Sequence, residues 1–278
     1  MKKILGIVAS PRRLGNCEIM VKEISSQIDQ PHELSLLRLH DFDIRPCRAC
    51  YQCMVKAKKC IINDDMHKVL DAILEADALI LAAPTYFLGA NAILKLFLDR
   101  GLSFYPYYKK LWEKPAVGVG IAGINGYEGY TLLGIKSFFS LILADIKQCD
   151  IIYGALPGEV FLNEANKKKA AELAANLFGQ PVKSSTVVCP LCDGDTFRFL
   201  GGNKVQCMLC SNYGILSGSV ESPVFEVDKG KHQLFLTTED ALEHRKWLVG
   251  MKERFLANKD KLKKITVSYR EQGDWIRP

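Results

Sequence analysis

No stretch of this 278-residue sequence approaches the ~18 consecutive apolar residues of a membrane-spanning helix, so no membrane span is expected. Internal repeats of solenoid type and low-complexity tracts are also missing, and 48% apolar with 24% charged residues is an ordinary globular balance. The net charge of +6 is modest, and no basic stripe interleaved with aromatics appears, so nucleic acid is not expected as a partner. The run Lys259 to Lys264 (KDKLKK) reads as a solvated helix face. MKKILGIVAS imitates a signal peptide, but its apolar part is too short and runs straight into SPRRLGN, so a strand and a cytoplasmic protein are expected. The histidines, His32, His40, His67, His232 and His244, are scattered, with no carboxylate or thiol at an obvious partner spacing. Neither a G-x-G-x-x-G fingerprint nor a Walker lysine is present. Cysteine, by contrast, is plentiful: ten residues, of which eight fall into two tight clusters and only Cys17 and Cys149 stand alone. In a cytosolic chain such clusters favour metal or redox chemistry over disulfides. Cys149 reads as a buried small hydrophobe.

The hydrophobic pattern alternates between strand and helix. Apolar runs at 3–9, 33–39, 77–83, 115–121 and 148–154 read as strands. Amphipathic stretches at 17–28, after Asp64 and Asp65 as capping residues, at 91–100, 130–143 and 163–177 read as helices. Apolar strands covered on both faces need crossover helices, so the alternation predicts an α/β fold with a doubly wound, five-stranded parallel sheet over residues 1–180. Residues 178–186 read as a linker, and residues 187–278 as a second unit. In that unit a cysteine-rich ribbon (187–216) is followed by strand-like VFEV and QLFL and by a long helix capped by Thr238. Trp247 and Met251 on that helix read as a packing stripe.

Three loops fall at the carboxyl ends of strands, where doubly wound sheets bind ligands. Ser10 to Asn16 joins a strand to a helix N-terminus and carries two arginines, a combination that would hold a phosphate. Pro84 to Gly89 (PTYFLG) offers an aromatic pair that could border a flat ring or pack beneath the next helix. Ala122 to Gly129 (AGINGYEG) supplies glycine, asparagine and tyrosine at the same rim.

As a set, SPRRLGNC, CIINDDM and PTYFLGANAILKLFLDR resemble the flavodoxin-like group of NAD(P)H-dependent FMN reductases and iron–sulfur flavoproteins, over about residues 1–177. The resemblance implies FMN, with its phosphate held by Ser10, Arg12, Asn16 and Cys17 and its ring lined by Pro84, Thr85, Tyr86 and Phe87. The loop from Gly123 to Gly126 would close the opposite side. It also implies a homo-oligomer, since the group forms dimers.

Cys47, Cys50, Cys53 and Cys60 form C-x2-C-x2-C-x6-C, a compact spacing that suits one loop wrapped around a 4Fe-4S cluster. Tetrahedral zinc or empty thiols are the competing readings, although zinc usually takes two C-x-x-C knuckles set farther apart. The pattern also resembles the cysteine motif of iron–sulfur flavoproteins, at the place after the second strand where they carry it. Cys189, Cys192, Cys207 and Cys210 do form two knuckles, fourteen residues apart, and look like a zinc ribbon. Rubredoxin-type iron is the alternative there.

These readings converge on an FMN-dependent oxidoreductase with a structural zinc ribbon. It would couple a 4Fe-4S cluster to FMN and reduce a small acceptor, with NAD(P)H or a ferredoxin as electron partner. No side chain stands out as a catalytic acid or base. The rivals are an NAD(P)H-dependent FMN or quinone reductase without a cluster, and a non-catalytic binding protein acting through its ribbon.

Overall fold

Strands buried on both faces must be apolar along their whole length, and the runs KILGIV, ALILAA and AVGVGIA become the three central strands of a parallel sheet. The computed structural model of the chain describes residues 1–55, 59–180, 186–219, 222–270, 272–274 and 276. The first unit runs β1 (Lys2–Val8), α1 (Asn16–Ser26), β2 (His32–Arg38), α2 (Gln52–Val55), α3 (Met66–Glu75), β3 (Ala78–Tyr86), β4 (Gly89–Ala90) and α4 (Ala92–Asp99). It continues with α5 (Tyr108–Leu111), β5 (Pro115–Ala122), α6 (Thr131–Leu141), β6 (Asp145–Tyr153) and α7 (Glu164–Leu177). The parallel strands lie in the order β2-β1-β3-β5-β6, the flavodoxin-like arrangement, so the winding direction reverses between β1 and β3.

Side chains alternate across each strand and feed two cores. Ile4 and Val8 of β1 and Ile80 and Ala82 of β3 face Met20, Val21 and Ile24 of α1 and Leu173 of α7. Leu5, Ile7, Leu79 and Leu81 point the other way, toward Val69 and Ile73 of α3, Phe97 of α4 and Phe138 of α6. Phe97 anchors α4, its ring centroid 5.2 Å from Phe104 and 5.1 Å from Phe138. Truncating a buried ring of this kind costs about 3–5 kcal/mol.

The cysteine-rich unit is an antiparallel sheet, β7 (Phe197–Gly201), β8 (Lys204–Cys207), β9 (Tyr213–Gly218) and β10 (Pro223–Asp228), followed by α8 (Thr238–Val267). Its core is small: Cys189, Val205, Cys207 and Phe225 are its buried members. Lys136 on α6 reaches across to Asp195 at 2.7 Å.

Several local expectations change. Residues 181–185 of the expected linker lie outside the described residues. The sheet gains β4, which pairs antiparallel with the projecting end of β3. Asp65 does not cap α3 with its side chain; Asp64 Oδ1 accepts the Met66 N–H at 3.2 Å, and Asp65 accepts the Asp43 N–H at 2.9 Å. VFEV does form β10, but QLFL is not a strand, because Gln233 turns inward to bond Asn212 and Gly230. Thr237, rather than Thr238, caps α8, its hydroxyl accepting the Asp240 N–H at 3.1 Å.

Candidate functional site

The loop after β1 is shaped from within. Ser10 is buried, and its hydroxyl accepts the Arg12 N–H at 3.2 Å. Leu14 sits at φ +51°, a left-handed conformation unusual for a leucine. Buried Glu18 holds it there by accepting the Leu14 N–H at 2.8 Å, while Lys22 bonds Glu18 at 2.7 Å and Arg38 bonds it from β2. Burial alone would raise the Glu18 carboxyl; bonds from Lys22, the Leu14 N–H and Arg38 outweigh it and hold the carboxyl below its usual range.

Asn16 ties this loop to the one after β6. Its amide nitrogen donates to Gly154 O at 2.9 Å, and its Oδ1 accepts the Gly158 N–H at 2.9 Å. The Asn16 side chain is therefore a strut between loops, and its main-chain N–H, at the start of α1, is the group that faces outward with the positive helix end. Arg12 adds a full charge beside it, its Nη1 donating to Ala155 O at 3.3 Å. Cys17 is buried, and burial pushes its thiol up to about 12, so it stays neutral there.

β3 runs past the sheet edge and turns through Phe87 (φ +48°) and Leu88 (φ +66°), pairing Tyr86 with Gly89 and Thr85 with Ala90. Two consecutive left-handed residues match a type I′ hairpin, which ordinarily uses Asn-Gly, so Phe-Leu holds this shape only under outside support. That support is the loop before α6. Leu88 O accepts the Tyr130 N–H at 2.7 Å, and the Thr85 and Thr131 hydroxyls are 2.8 Å apart. Two glycines permit the approach: a Cβ on Gly89 would lie 2.5 Å from the Tyr130 ring, and one on Gly129 would overlap Leu88 O. The tip does not pack beneath α4. Phe87 is 100% exposed and Tyr86 about half exposed.

Between these loops lies a cavity of about 210 Å³. Of the residues expected at the site, Ser10, Arg12, Asn16, Cys17, Pro84, Thr85, Tyr86 and Gly123 line it, whereas Phe87 and Gly126 stand outside its wall. Gly15, Ile121, Gly154, Ala155 and Pro157 complete it. The last three fall at the expected end of the strand at 148–154 and just beyond it, where the sequence pattern marks no site. Their place after a parallel strand was the available signal. A cationic side chain, a helix N-terminus and a polar cleft wall fit a phosphate-bearing ligand.

The first cysteine loop leaves the sheet after β2. Cys47 and Cys50 are exposed, Cys60 is half-buried and Cys53 is buried, its thiol pushed up to about 11 by burial and by the neighbouring Cys60, Cys50 and Cys47. Ala49 (φ +48°) and Tyr51 (φ +55°) bend the backbone sharply between the cysteines.

Both ends of this loop are stapled by one buried ion pair that sequence spacing did not reveal. Arg100, at the end of α4, donates to Asp64 at 2.5 and 3.3 Å, and both side chains are 1% exposed. Arg100 also donates to Arg45 O at 2.7 Å, and Asp64 accepts the Arg45 N–H at 3.0 Å, so the segments on either side of the cysteines are fixed together. Burial opposes the charged state of each partner. Their mutual hydrogen bonds outweigh it, lowering the Asp64 carboxyl and raising Arg100, to which the neighbouring Cys60 also contributes.

In the second cysteine set the Sγ atoms of Cys189 and Cys210 are 3.7 Å apart and those of Cys192 and Cys207 3.6 Å apart. A tetrahedral ion with metal–sulfur bonds of ~2.3 Å holds its sulfurs ~3.8 Å apart, so this set is gathered for one ion. Hydrogen bonds from Cys189 and Cys192 draw the Cys207 thiol down to about 7 and lower Cys210 as well. Asn212 donates to Cys210 Sγ at 3.2 Å and is itself held by Gln233. Among the described residues, no other set of three or more ligating side chains has its donor atoms all within 4.8 Å of one another. The Cys47 set does not meet that condition. His232 and His244, although remote in sequence, meet at 2.8 Å, with Trp247 stacked on His244.

Sequence and structure comparisons agree with this geometry. A sequence model of the NADPH-dependent FMN reductase family matches residues 2–141. An iron–sulfur flavoprotein of Methanocaldococcus jannaschii is 35% identical over 141 residues, 49% of this chain and 71% of its own. One from Archaeoglobus fulgidus is 30% identical over 182 residues, 63% of this chain and 78% of its own. The solved structure of a flavone reductase shares the fold, with a TM-score of 0.78 over 99% of both chains at 18% identity. No helix among the described residues is long and apolar enough to cross a membrane. With the parallel sheet, the loop cleft and these relatives together, the chain belongs with the iron–sulfur flavoproteins in the NADPH-dependent FMN reductase family and is an FMN-dependent oxidoreductase.

Proposed function

We propose that this oxidoreductase couples FMN in the loop cleft to a 4Fe-4S cluster on Cys47, Cys50, Cys53 and Cys60, and passes electrons from NAD(P)H or a ferredoxin-type carrier to a small acceptor. The observation that carries this reading is the position of α4. Its N-terminus follows the aromatic hairpin, and its C-terminus ends at Arg100, which staples the cysteine loop. The two candidate sites thus stand at opposite ends of one 8-residue helix, about 12 Å long.

Each residue has a physical task in this reading. Arg12 and the first-turn N–H groups of α1 hold the phosphate, and Glu18 and the Asn16 side chain keep that loop in shape. Pro84, Thr85, Tyr86 and Phe87 border the ring, with Phe87 at the outer rim, and the Gly123 to Gly126 loop covers the other side. Arg100 and Asp64 hold the cysteine loop closed while its exposed cysteines face outward. FMN exchanges one or two electrons and a cubane one at a time, so together they join two-electron donors to single-electron carriers. Cys189, Cys192, Cys207 and Cys210 hold zinc, which ties together a sheet whose own core is too small to do so.

Anaerobic titration with NADPH, followed by dithionite, tests the coupling. Bleaching of the flavin bands followed by loss of broad iron–sulfur absorbance in the same chain supports it. Flavin bleaching with no iron–sulfur absorbance would instead identify an NAD(P)H-dependent FMN or quinone reductase.

A further inference from the structure

Helix α8 begins on the body of the protein. Ala241 is buried, Leu248 packs against the larger core, and Arg245 donates to Met54 O in the cysteine loop at 3.2 Å. Ala241, His244, Leu248 and Met251 recur at alternating intervals of three and four, which puts them on one helical seam.

The seam does not stop where the body does. The same alternation continues through Phe255, Asn258, Leu262 and Ile265, and there it is bare: Phe255 is 53% exposed, Leu262 40% and Ile265 59%. Apolar residues at this spacing over more than three heptads are the pattern of a coiled-coil seam, and a single asparagine within it is the usual register-setting residue. From Met251 to the helix end at Val267 the unpaired stretch is 17 residues, about 25 Å.

Charge selects the partner. The positions that flank the seam carry Lys252, Arg254, Lys259 and Lys261, all cationic, whereas Glu253 and Asp260 fall on the opposite face. A second copy laid along the seam, parallel or antiparallel, sets cation against cation. An acidic helix meets the opposite sign at four of the five flanks, the fifth being the neutral Thr266. We propose that residues 251–267 of α8 are a docking surface for an acidic amphipathic α-helix of another protein, which pairs with it as a two-stranded coiled coil. This inference does not depend on which cofactors the chain holds.

The test uses the full chain and a fluorescein-labelled synthetic three-heptad peptide with leucine on its seam, an asparagine opposite Asn258 and glutamate at the flanks. Fluorescence anisotropy should show binding that weakens about tenfold or more from low to high salt, since these charges are solvent-exposed. A peptide with lysine at the flanks should not bind. Leu262→Glu and Ile265→Glu should abolish binding, and as both side chains are exposed, circular dichroism and thermal unfolding should be unchanged. Failure of the acidic peptide to bind, or equal binding of both peptides, overturns the proposal. So does a dimer by light scattering that Leu262→Glu dissociates, which would make the seam a self-contact. Sedimentation with phosphatidylglycerol vesicles without peptide binding would assign the seam to a lipid surface instead.

Discussion

The two cysteine sets use the same side chain four times and solve different problems. In the ribbon, Cys189, Cys192, Cys207 and Cys210 point at one spot, with sulfurs 3.6 and 3.7 Å apart, and two of them, Cys189 and Cys207, share its small buried core with Val205 and Phe225. In the loop, Cys47 and Cys50 are exposed while Cys53 is buried in the larger core and Cys60 packs against it, and the loop is held by a buried ion pair supplied from the sheet domain. On the proposed reading, two knuckles on a sheet with so small a core make a site that needs its metal to fold. The loop, by contrast, is pinned at its neck to a folded body by Arg100 and Asp64. The contrast teaches that the same ligand type can sit in two different frames, one built around the thiols themselves and one supported from a folded body.

The largest effect should come from removing the ribbon's metal. Structural zinc contributes an apparent ~10–16 kcal/mol to small domains of this kind, so Cys207→Ser or chelation should unfold the ribbon sheet. Limited proteolysis should then cut the chain beyond residue 186 and leave the parallel-sheet body intact. Loss of both units together would break the comparison.

Next comes the staple. Leaving one partner of a buried ion pair unpaired costs about 3–5 kcal/mol, so Arg100→Met or Asp64→Asn should lower denaturant stability by that order. The same variants should lose iron and sulfide while keeping zinc, a split visible by elemental analysis.

Changes in the phosphate loop sharpen the contrast by sparing both thiol sets. Arg12→Ala removes a charged hydrogen-bond donor worth about 1.5–3 kcal/mol, and should weaken FMN binding roughly 10- to 100-fold in fluorescence titration, with metal content unchanged. The smallest effect, about 1 kcal/mol, is expected for Glu18→Gln, which loosens Leu14. It also carries a pH signature. The Glu18 carboxyl is lower in the folded chain than its ordinary 4.5, so its contribution is fully present above pH 4.5 and is lost as pH falls through the lower folded value. Wild type and Glu18→Gln should therefore differ at neutral pH and converge in acid, as read by denaturant unfolding.

Much of this arrangement was legible in the residue pattern, for stated reasons. Central parallel strands are apolar on both faces, so β1, β3 and β5 announce themselves. The place of the loop after β1 in the cavity wall is readable because it joins the carboxyl end of a parallel strand to a helix N-terminus. The gathering of Cys189, Cys192, Cys207 and Cys210 is readable because ligand spacing is local. What was not legible depends on contacts distant in sequence. Arg100 and Asp64 are 36 positions apart, and nothing near either marks the pairing. The Phe87–Leu88 turn defies local preference and is held by Tyr130 and Thr131, 42 or more residues away. Gly154, Ala155 and Pro157 enter the cavity wall only because the sheet order sets β6 beside β5. QLFL looks like a strand until Gln233 finds Asn212.

Metal and cofactor content measured together on anaerobically purified wild type and Cys60→Ser tests the difference between the two thiol sets most directly. The wild type should hold about four iron, four sulfide and one zinc per chain together with FMN, and Cys60→Ser should lose iron and sulfide while retaining the zinc. Zinc in both sets, with neither iron nor sulfide in the wild type, would contradict it.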